Sequence, residues 1–341
     1  METERLSPDQ LHRAVELLRR GGLVAIPTET VYGLAADGTN PAAVARIFEA
    51  KGRPQDNPLI LHLLSADWLS RCCGEIPPAA RTLAGRFWPG PLTLVLPKGN
   101  HVPDAVTGGL DTVAVRCPDH PVARALIEAA GVPLAAPSAN RSGRPSPTTA
   151  AHVLEDMAGR IDAVLDGGAC TVGVESTILD LTVSPPRLLR PGGVSLEELR
   201  AVIGTVAVDD AVLRPMAAGE RPRAPGMQYR HYAPKAPVTV VRGGPDAAAA
   251  YIEARLTPSA GVIVFDEWAA RFEGYATQTL GSVEDDREQA RRIFDALRAF
   301  DHIPVTEIWA MCPAGDGLGL AVSNRLSKAA GFHIVDGEEE P

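Results

Sequence analysis

Polar clusters recur beside apolar, strand-like stretches of this chain, and most carry a group able to hold an anion or a hydroxyl. Pro27-Thr28-Glu29-Thr30-Val31-Tyr32-Gly33-Leu34 follows directly on an apolar run, and loops at strand ends are where α/β folds place their ligands. A turn with capping threonines fits that segment equally well. Lys51-Gly52-Arg53-Pro54, followed by Asn57-Pro58, sets a pair of cations where a helix should end. They could cradle phosphate, Lys51 as a point charge and Arg53 as a fork, or merely complement the helix dipole. His62 lies inside an apolar run, where a lone histidine is more often a satisfied core residue than a ligand.

The stretch from Thr112 to Arg116 reads as a strand closed by an arginine. Its fork suits a substrate carboxylate or bicarbonate, and an internal salt bridge equally. Between Pro137 and Pro147 the chain is rich in hydroxyls, glycine and arginine, including Ser138, Asn140, Ser142 and Ser146. Such a loop can surround phosphates with hydroxyl and backbone donors. It is not a P-loop, because the spaced glycines and the Lys-Ser/Thr of that motif are absent. A further cluster joins Val174-Glu175-Ser176-Thr177-Ile178 to Leu189-Arg190-Pro191-Gly192.

The elements that must position these groups alternate in kind. Leu11, Val15 and Leu18 at helical spacing after Ser7-Pro8 predict a helix that stops at Gly21-Gly22. Strands are expected at 23–27, 59–64, 92–96, 112–116, 132–136, 163–165, 176–181 and 187–189, with helices near 41–52, 78–88, 120–130 and 149–159 between them. That pattern indicates an α/β fold, and the long connections favour a mixed, twisted sheet over a purely parallel one. From Asp209 to Pro237 the chain turns irregular, with prolines at 215, 222, 225, 234 and 237 and basic residues Arg221, Arg223, Arg230, His231 and Lys235. Strands at 238–241, 262–265 and 307–311, with helices at 247–255, 287–299 and 322–330, then predict a second, smaller α/β domain. The expected division is 1–205, a linker 206–237, and 238–341.

Lys and Arg total 33 against 42 Asp and Glu, a net charge of −9, so the molecule as a whole repels nucleic-acid backbones. With 45% hydrophobic and 22% charged residues, it has the composition of a globular protein. Its 5 cysteines form no C-x-x-C pair, which argues against a disulfide framework or a zinc site and for a reducing compartment. The charged start Met1-Glu2-Thr3-Glu4-Arg5 and the lack of a bilayer-length apolar run lead to the expectation of a cytoplasmic protein.

In this order the clusters resemble the YrdC/Sua5 family over residues 12 to 200. The marks are PTETVYGL, the K-x-R of Lys51 and Arg53, the S-x-N of Ser138 and Asn140, SGRPSPT, and ESTI followed by LRPG. Gly226-Met227-Gln228-Tyr229-Arg230-His231-Tyr232-Ala233-Pro234 is similar to the linker motif of the two-domain Sua5 branch, with Gln228 where a basic residue is commoner. The resemblance implies a YrdC-like catalytic domain carrying a twisted mixed sheet, and a Rossmann-like C-terminal domain.

It also implies the activity: L-threonine, bicarbonate and ATP are joined into threonylcarbamoyl-adenylate with release of pyrophosphate, for a downstream tRNA-modifying complex. By motif position, Thr30, His62, Arg116, the backbone at Ala136, and Ser176 would hold threonine. Arg53, Asn57, Thr112, Ser138, Asn140, Ser146, Arg190 and Tyr232 would hold ATP. Lys51 with Arg53 would neutralise the phosphates. Magnesium would arrive with the triphosphate rather than in a protein cage. The aromatic linker, Tyr229 to Tyr232, reads as a lid over the nucleotide or as packing between domains. Other classes to separate are a double-stranded-RNA-binding module, disfavoured by the acidic balance, and carbamoyl-adenylate-forming hydrogenase-maturation proteins. The latter carry an acylphosphatase-like domain and paired C-x-x-C zinc fingers, and neither is present in this sequence.

Overall fold

Runs of β-branched and aliphatic residues broken by Gly, Pro and Asn generate two sheets in the computed structural model, which describes residues 2–216, 222–225, 227 and 231–338. The first half of the chain supplies β1 (Glu4–Leu6), β2 (Val24–Ile26), β3 (Gly33–Asp37), β4 (Ile60–His62), β5 (Leu92–Pro97) and β6 (Thr112–Arg116). β7 (Leu134–Ala135), β8 (Ala163–Leu165), β9 (Thr177–Asp180), β10 (Arg187–Arg190) and β11 (Ala207–Val208) complete an 11-stranded sheet of order β1-β8-β2-β3-β7-β4-β6-β5-β9-β10-β11. Parallel and antiparallel neighbours mix, as the long connections lead one to expect. β3 has no counterpart among the expected strands: it pairs antiparallel with β2, so the PTETVY segment is the connection between two adjacent strands.

The second sheet holds β12 (Val238–Arg242), β13 (Ala260–Val264), β14 (Ala276–Thr279), β15 (Glu307–Met311) and β16 (Ile334–Asp336), all parallel, in the order β14-β13-β15-β12-β16. Helices Pro245–Glu253, Asp286–Ala299 and Gly319–Ala329 connect these strands. A parallel sheet wrapped by crossover helices is the Rossmann-like arrangement.

The units share an apolar seam. Val31 and Val174, beside the large sheet, and Tyr232, past its last strand, join the cluster built on Val240, Phe294 and Leu326 of the second sheet and its helices. The main core of the first unit lies on one face of its sheet, where Leu61, Leu94, Val113, Val115 and Leu179 pack on helix residues such as Ile47 and Leu83. On the opposite face Ile60, Val95, Ala114, Ile178 and Leu189 are covered by Ala211, Ala224 and Met227. The segment after residue 205 is therefore laid onto the sheet where it is described. Gln228, Tyr229, Arg230 and Arg221 lie outside the described residues. No helix among those described is long and apolar enough to cross a membrane.

Candidate functional site

Alternation along the strands separates core from chemistry. β4 turns Leu61 into the main core and Ile60 and His62 to the opposite face; β6 turns Val113 and Val115 inward and Ala114 and Arg116 outward. Register sets His62 beside Arg116 and Arg116 beside Thr93. Because β5 runs antiparallel to β6 and β9 runs with β5, the carboxyl ends of β4 and β6 meet the start of β9, where Ser176 stands. Its hydroxyl is 2.7 Å from that of Thr93. Antiparallel β10 returns Arg190 to the same place, opposite Ile178. Gly192 then closes on the ESTI backbone: a Cβ there would stand 2.3 Å from the Glu175 carbonyl oxygen and 2.4 Å from the Thr177 nitrogen. Only glycine permits that approach, which accounts for the end of the LRPG motif.

Arg53, Arg116 and Arg190 line one cavity with His62, Ser176 and Tyr232. Thr28, Ala136, Ser138 and Glu175 also face it, and Pro225 and His231 cover it from the segment beyond the sheet. Arg116 has the internal salt bridge the sequence allowed, to Glu29 at 2.5 Å, and donates to the Thr30 hydroxyl at 2.9 Å. Glu29 is itself fixed by the Asp119 amide at 3.0 Å, so the guanidinium is held in one orientation beside the cavity.

The other two arginines touch no carboxylate among the described residues. Arg190 donates to the Ser176 carbonyl at 2.9 Å, the Ser176 hydroxyl at 3.1 Å and the Pro225 carbonyl at 3.3 Å. Arg53 donates to the Pro58 carbonyl at 3.1 Å, and its buried Nε has no partner among the described residues. Burial pulls the Arg53 guanidinium down to about 10, Tyr232 opposing and the like charge of Arg190 adding to the fall. Three guanidiniums thus face a cavity in which Glu175 is the one lining carboxylate among the described residues, in a molecule of net charge −9. Such a concentration of buried positive charge suits an anionic ligand.

The remaining predicted residues fall into distinct places. Lys51 does not line the cavity; its ammonium, lowered well below the usual lysine range by burial, donates to the carbonyls of Ser138 and Asn140 at 2.5 Å each. It anchors the loop that carries those side chains. Asn140 donates to the Arg141 and Arg144 carbonyls while its Oδ1, like that of Asn57, is buried without a partner among the described residues. Ser146 donates to Glu175 at 2.6 Å, behind the cavity wall. Thr112 starts β6 at the opposite end from Arg116 and is not brought to the site. Tyr232 is 1% exposed, adopts φ 67, and packs against Phe294 with ring centroids 5.3 Å apart. Positive φ is strained for a tyrosine, so packing on both sides must hold it.

Sequence reading missed the site's central carboxylate as a site residue. Glu175 accepts from Ser146 and, across 150 residues, from Arg325 Nε at 2.8 Å. Burial would raise its pKa, yet Arg325 and Arg190 bring it to about 2. No local pattern around Arg325 announces that partnership.

His62 provides a pH prediction. Burial, reinforced by Arg116, lowers its pKa to about 3, so the ring stays neutral where an exposed histidine titrates. Folded His62 binds its proton less readily than unfolded His62, so stability falls as pH drops below about 6.5 and continues to fall toward about 3. Ring NMR signals of His62 should therefore not shift between about pH 5 and about pH 8; a midpoint near 6.5 would show that the ring is not buried as described.

A family model described as "Telomere recombination", covering Sua5, YciO and YrdC proteins, matches residues 16–192. A second, described as the C-terminal domain of threonylcarbamoyl-AMP synthase, matches residues 194–331. Threonylcarbamoyl-AMP synthase of Pyrococcus abyssi is 50% identical, across 97% of each chain. The Bacillus subtilis protein of the same name is 45% identical, across 98% of this chain and 97% of its own. Among solved structures, P. abyssi Sua5 complexed with L-threonine superposes with a TM-score of 0.90 at 46% identity, covering 98% of this chain and 99% of that one.

Proposed function

This chain belongs to the Sua5/YrdC family, and we propose that its arginine-lined cavity is where L-threonine, bicarbonate and ATP become threonylcarbamoyl-AMP and pyrophosphate. The enzyme is a nucleotidyltransferase, an L-threonylcarbamoyladenylate synthase that serves formation of N6-threonylcarbamoyladenosine at position 37 of tRNAs. The observation that supports the cavity assignment is the convergence of Arg53, Arg116 and Arg190 on a space walled by hydroxyls and a neutral histidine.

Arg116, oriented by Glu29 and Thr30, receives the threonine carboxylate; Ser176, the Thr30 and Thr28 hydroxyls and His62 surround the rest, with the Ala136 backbone as one wall. Buried polar groups of this kind discriminate against a ligand lacking the hydroxyl, because they are then left unpaired. Arg53 and Arg190 face the triphosphate, which carries its magnesium with it, and the orphaned oxygens of Asn57 and Asn140 are acceptors for the donor groups of the nucleotide. The amine nitrogen bonds to the carbon of bicarbonate as a C–O bond breaks, and that oxygen leaves with the amine's proton as water, giving a carbamate. A carbamate oxygen then attacks the α-phosphorus, the bond to the β-phosphate oxygen breaks, and pyrophosphate leaves with the electron pair. The arginines stabilise the negative charge that develops in that step.

About 40 Å³ remains inside the cavity for water-sized occupants, below the roughly 300–1,000 Å³ of ligand pockets. Pro225, His231 and Tyr232 must therefore lift to admit a nucleotide and return to shield the adenylate from water. The product passes in the cytoplasm to the complex that modifies tRNA. The test is an omission series with pure protein, magnesium and ATP. Pyrophosphate release should require both L-threonine and bicarbonate; release supported by carbamoyl phosphate without threonine would favour the maturation-type reaction instead.

A further inference from the structure

The second unit reaches into the first through two helices. Helix Gly319–Ala329 is amphipathic in an unusual sense: Ser323, Asn324, Arg325, Ser327 and Lys328 are all buried. Arg325 is fully buried, and each bond it makes is aimed at the first unit or at its own neighbour. Nε donates to Glu175 at 2.8 Å, and Nη1 to the Pro191 carbonyl at 2.9 Å and to Asn324 at 3.1 Å. Its guanidinium carbon stands 5.5 Å from the centre of the Tyr232 ring. On the neighbouring helix Asp286–Ala299, Arg298 donates to Asp156 at 3.0 Å and to the Pro145 carbonyl at 2.5 Å, and Asp295 accepts from Thr148 at 2.8 Å. Gly173 lets that helix come close, since a Cβ there would lie 2.4 Å from the Ala290 carbonyl oxygen. The loop carrying Ser146 and the strand start carrying Glu175 are thus gripped from the side opposite the cavity.

Arg325 and Arg190 are the cations that weigh most on Glu175, and the geometry divides them unequally. Its oxygens accept from Ser146 and Arg325, whereas Arg190 donates to carbonyls and to the Ser176 hydroxyl. We propose that Arg325 is a positioning residue for the reaction proposed above: by engaging the Glu175 carboxylate it leaves Arg190 available to the triphosphate, so the two units share one active site. Without Arg325, Glu175 is a buried anion whose best remaining partner is Arg190. A bidentate pair between them would withdraw the guanidinium from the nucleotide.

The groups facing Glu175 are Arg325 and Lys328 from the helix, Arg190 from the end of β10, Ser146 from its loop, and His231 and Tyr232 from the covering segment. His231, lowered to about 3 by burial, stays neutral across the working range. Lys328, lowered to about 7 by burial, gains a proton as pH falls through that value, in variant and wild type alike, so the ratio to wild type is the quantity to read. Removing Arg325 takes away the largest opposing charge on Glu175, and pairing with Arg190 then keeps the carboxylate ionised, so the competition for that guanidinium persists.

The experiment compares steady-state kinetics of wild type, Arg325→Lys, Arg325→Gln and the double variant Glu175→Gln/Arg325→Gln, each as the full chain. Melting curves establish that each is folded. Arg325→Gln should raise the KM for ATP by ~10- to 100-fold, with the threonine KM changing less than about threefold. Arg325→Lys should lie within about threefold of the wild-type KM, and the double variant, which has no anion to compete for Arg190, at least about threefold below Arg325→Gln. An ATP KM unchanged in Arg325→Gln would overturn the proposal, as would one raised equally in the double variant, which is what a simple latch between domains predicts. Should Arg325→Gln fail to fold, the same comparison is made with Arg325→Met and Glu175→Gln/Arg325→Met. Wild type lacking threonine- and bicarbonate-dependent turnover would instead strike at the reaction itself, a failure separable from that of Arg325.

Discussion

Arg53→Ala should keep close to the wild-type melting temperature while kcat/KM for ATP falls by ~10²–10³. Arg53 lines the cavity with an unpartnered Nε and a guanidinium already weakened by burial and by Arg190, so in the free protein its charge stands in an unfavourable setting. Its hydrogen bonds to Pro58 and Asn57 at 3.1 and 3.4 Å are what stability loses, about 1 kcal/mol each at most. Relief of the repulsion with Arg190 acts in the opposite direction. In the transition state that charge meets developing negative charge on the phosphates, and its loss falls on the rate. A variant with wild-type turnover and a collapsed melting temperature would make Arg53 a structural residue.

Arg116 should behave in the opposite sense, with both stability and threonine affinity suffering. Its partner Glu29 is 6% exposed and depends on it at 2.5 Å, so Arg116→Ala leaves a buried carboxylate uncompensated, at a cost of about 3–5 kcal/mol. Arg116→Lys retains the charge and should fold, but a point charge cannot serve Glu29, Thr30 and a substrate carboxylate together, and the threonine KM should rise by ~10- to 100-fold. The KM for ATP should move by less than about threefold. An unchanged threonine KM in a folded Arg116→Lys protein would remove the carboxylate assignment and leave only the salt bridge.

The two α/β units and the mixed character of the first sheet were legible because most strands are short β-branched runs set off by turn residues. β3 was not, because Gly-Leu-Ala-Ala-Asp is made of small residues with weak strand preference, and pairing on both edges rather than propensity makes it a strand. At the site, motif order pointed to loops that line or support the cavity, yet it could not separate the one from the other. Lys51 and Arg53 look alike in the K-x-R pattern, but the chain reverses at Gly52 and sends one to the Ser138–Asn140 carbonyls and the other to the cavity. His62 is both things the sequence offered, a buried strand residue and part of a cavity wall. Arg325 was beyond reach, because its meaning lies in a contact across 150 residues and a domain boundary, with only an ordinary-looking helix around it.

If this cavity builds an adenylate in which the carbon of bicarbonate links threonine to AMP, mass spectrometry of the product made by pure protein from ATP, L-threonine and bicarbonate labelled with heavy carbon should show it. A threonylcarbamoyl-AMP ion should carry the carbon label, disappear when threonine is omitted, and be lost in Arg53→Ala with the fold intact. A product containing no carbon from bicarbonate, or an adenylate formed equally without threonine, would contradict it.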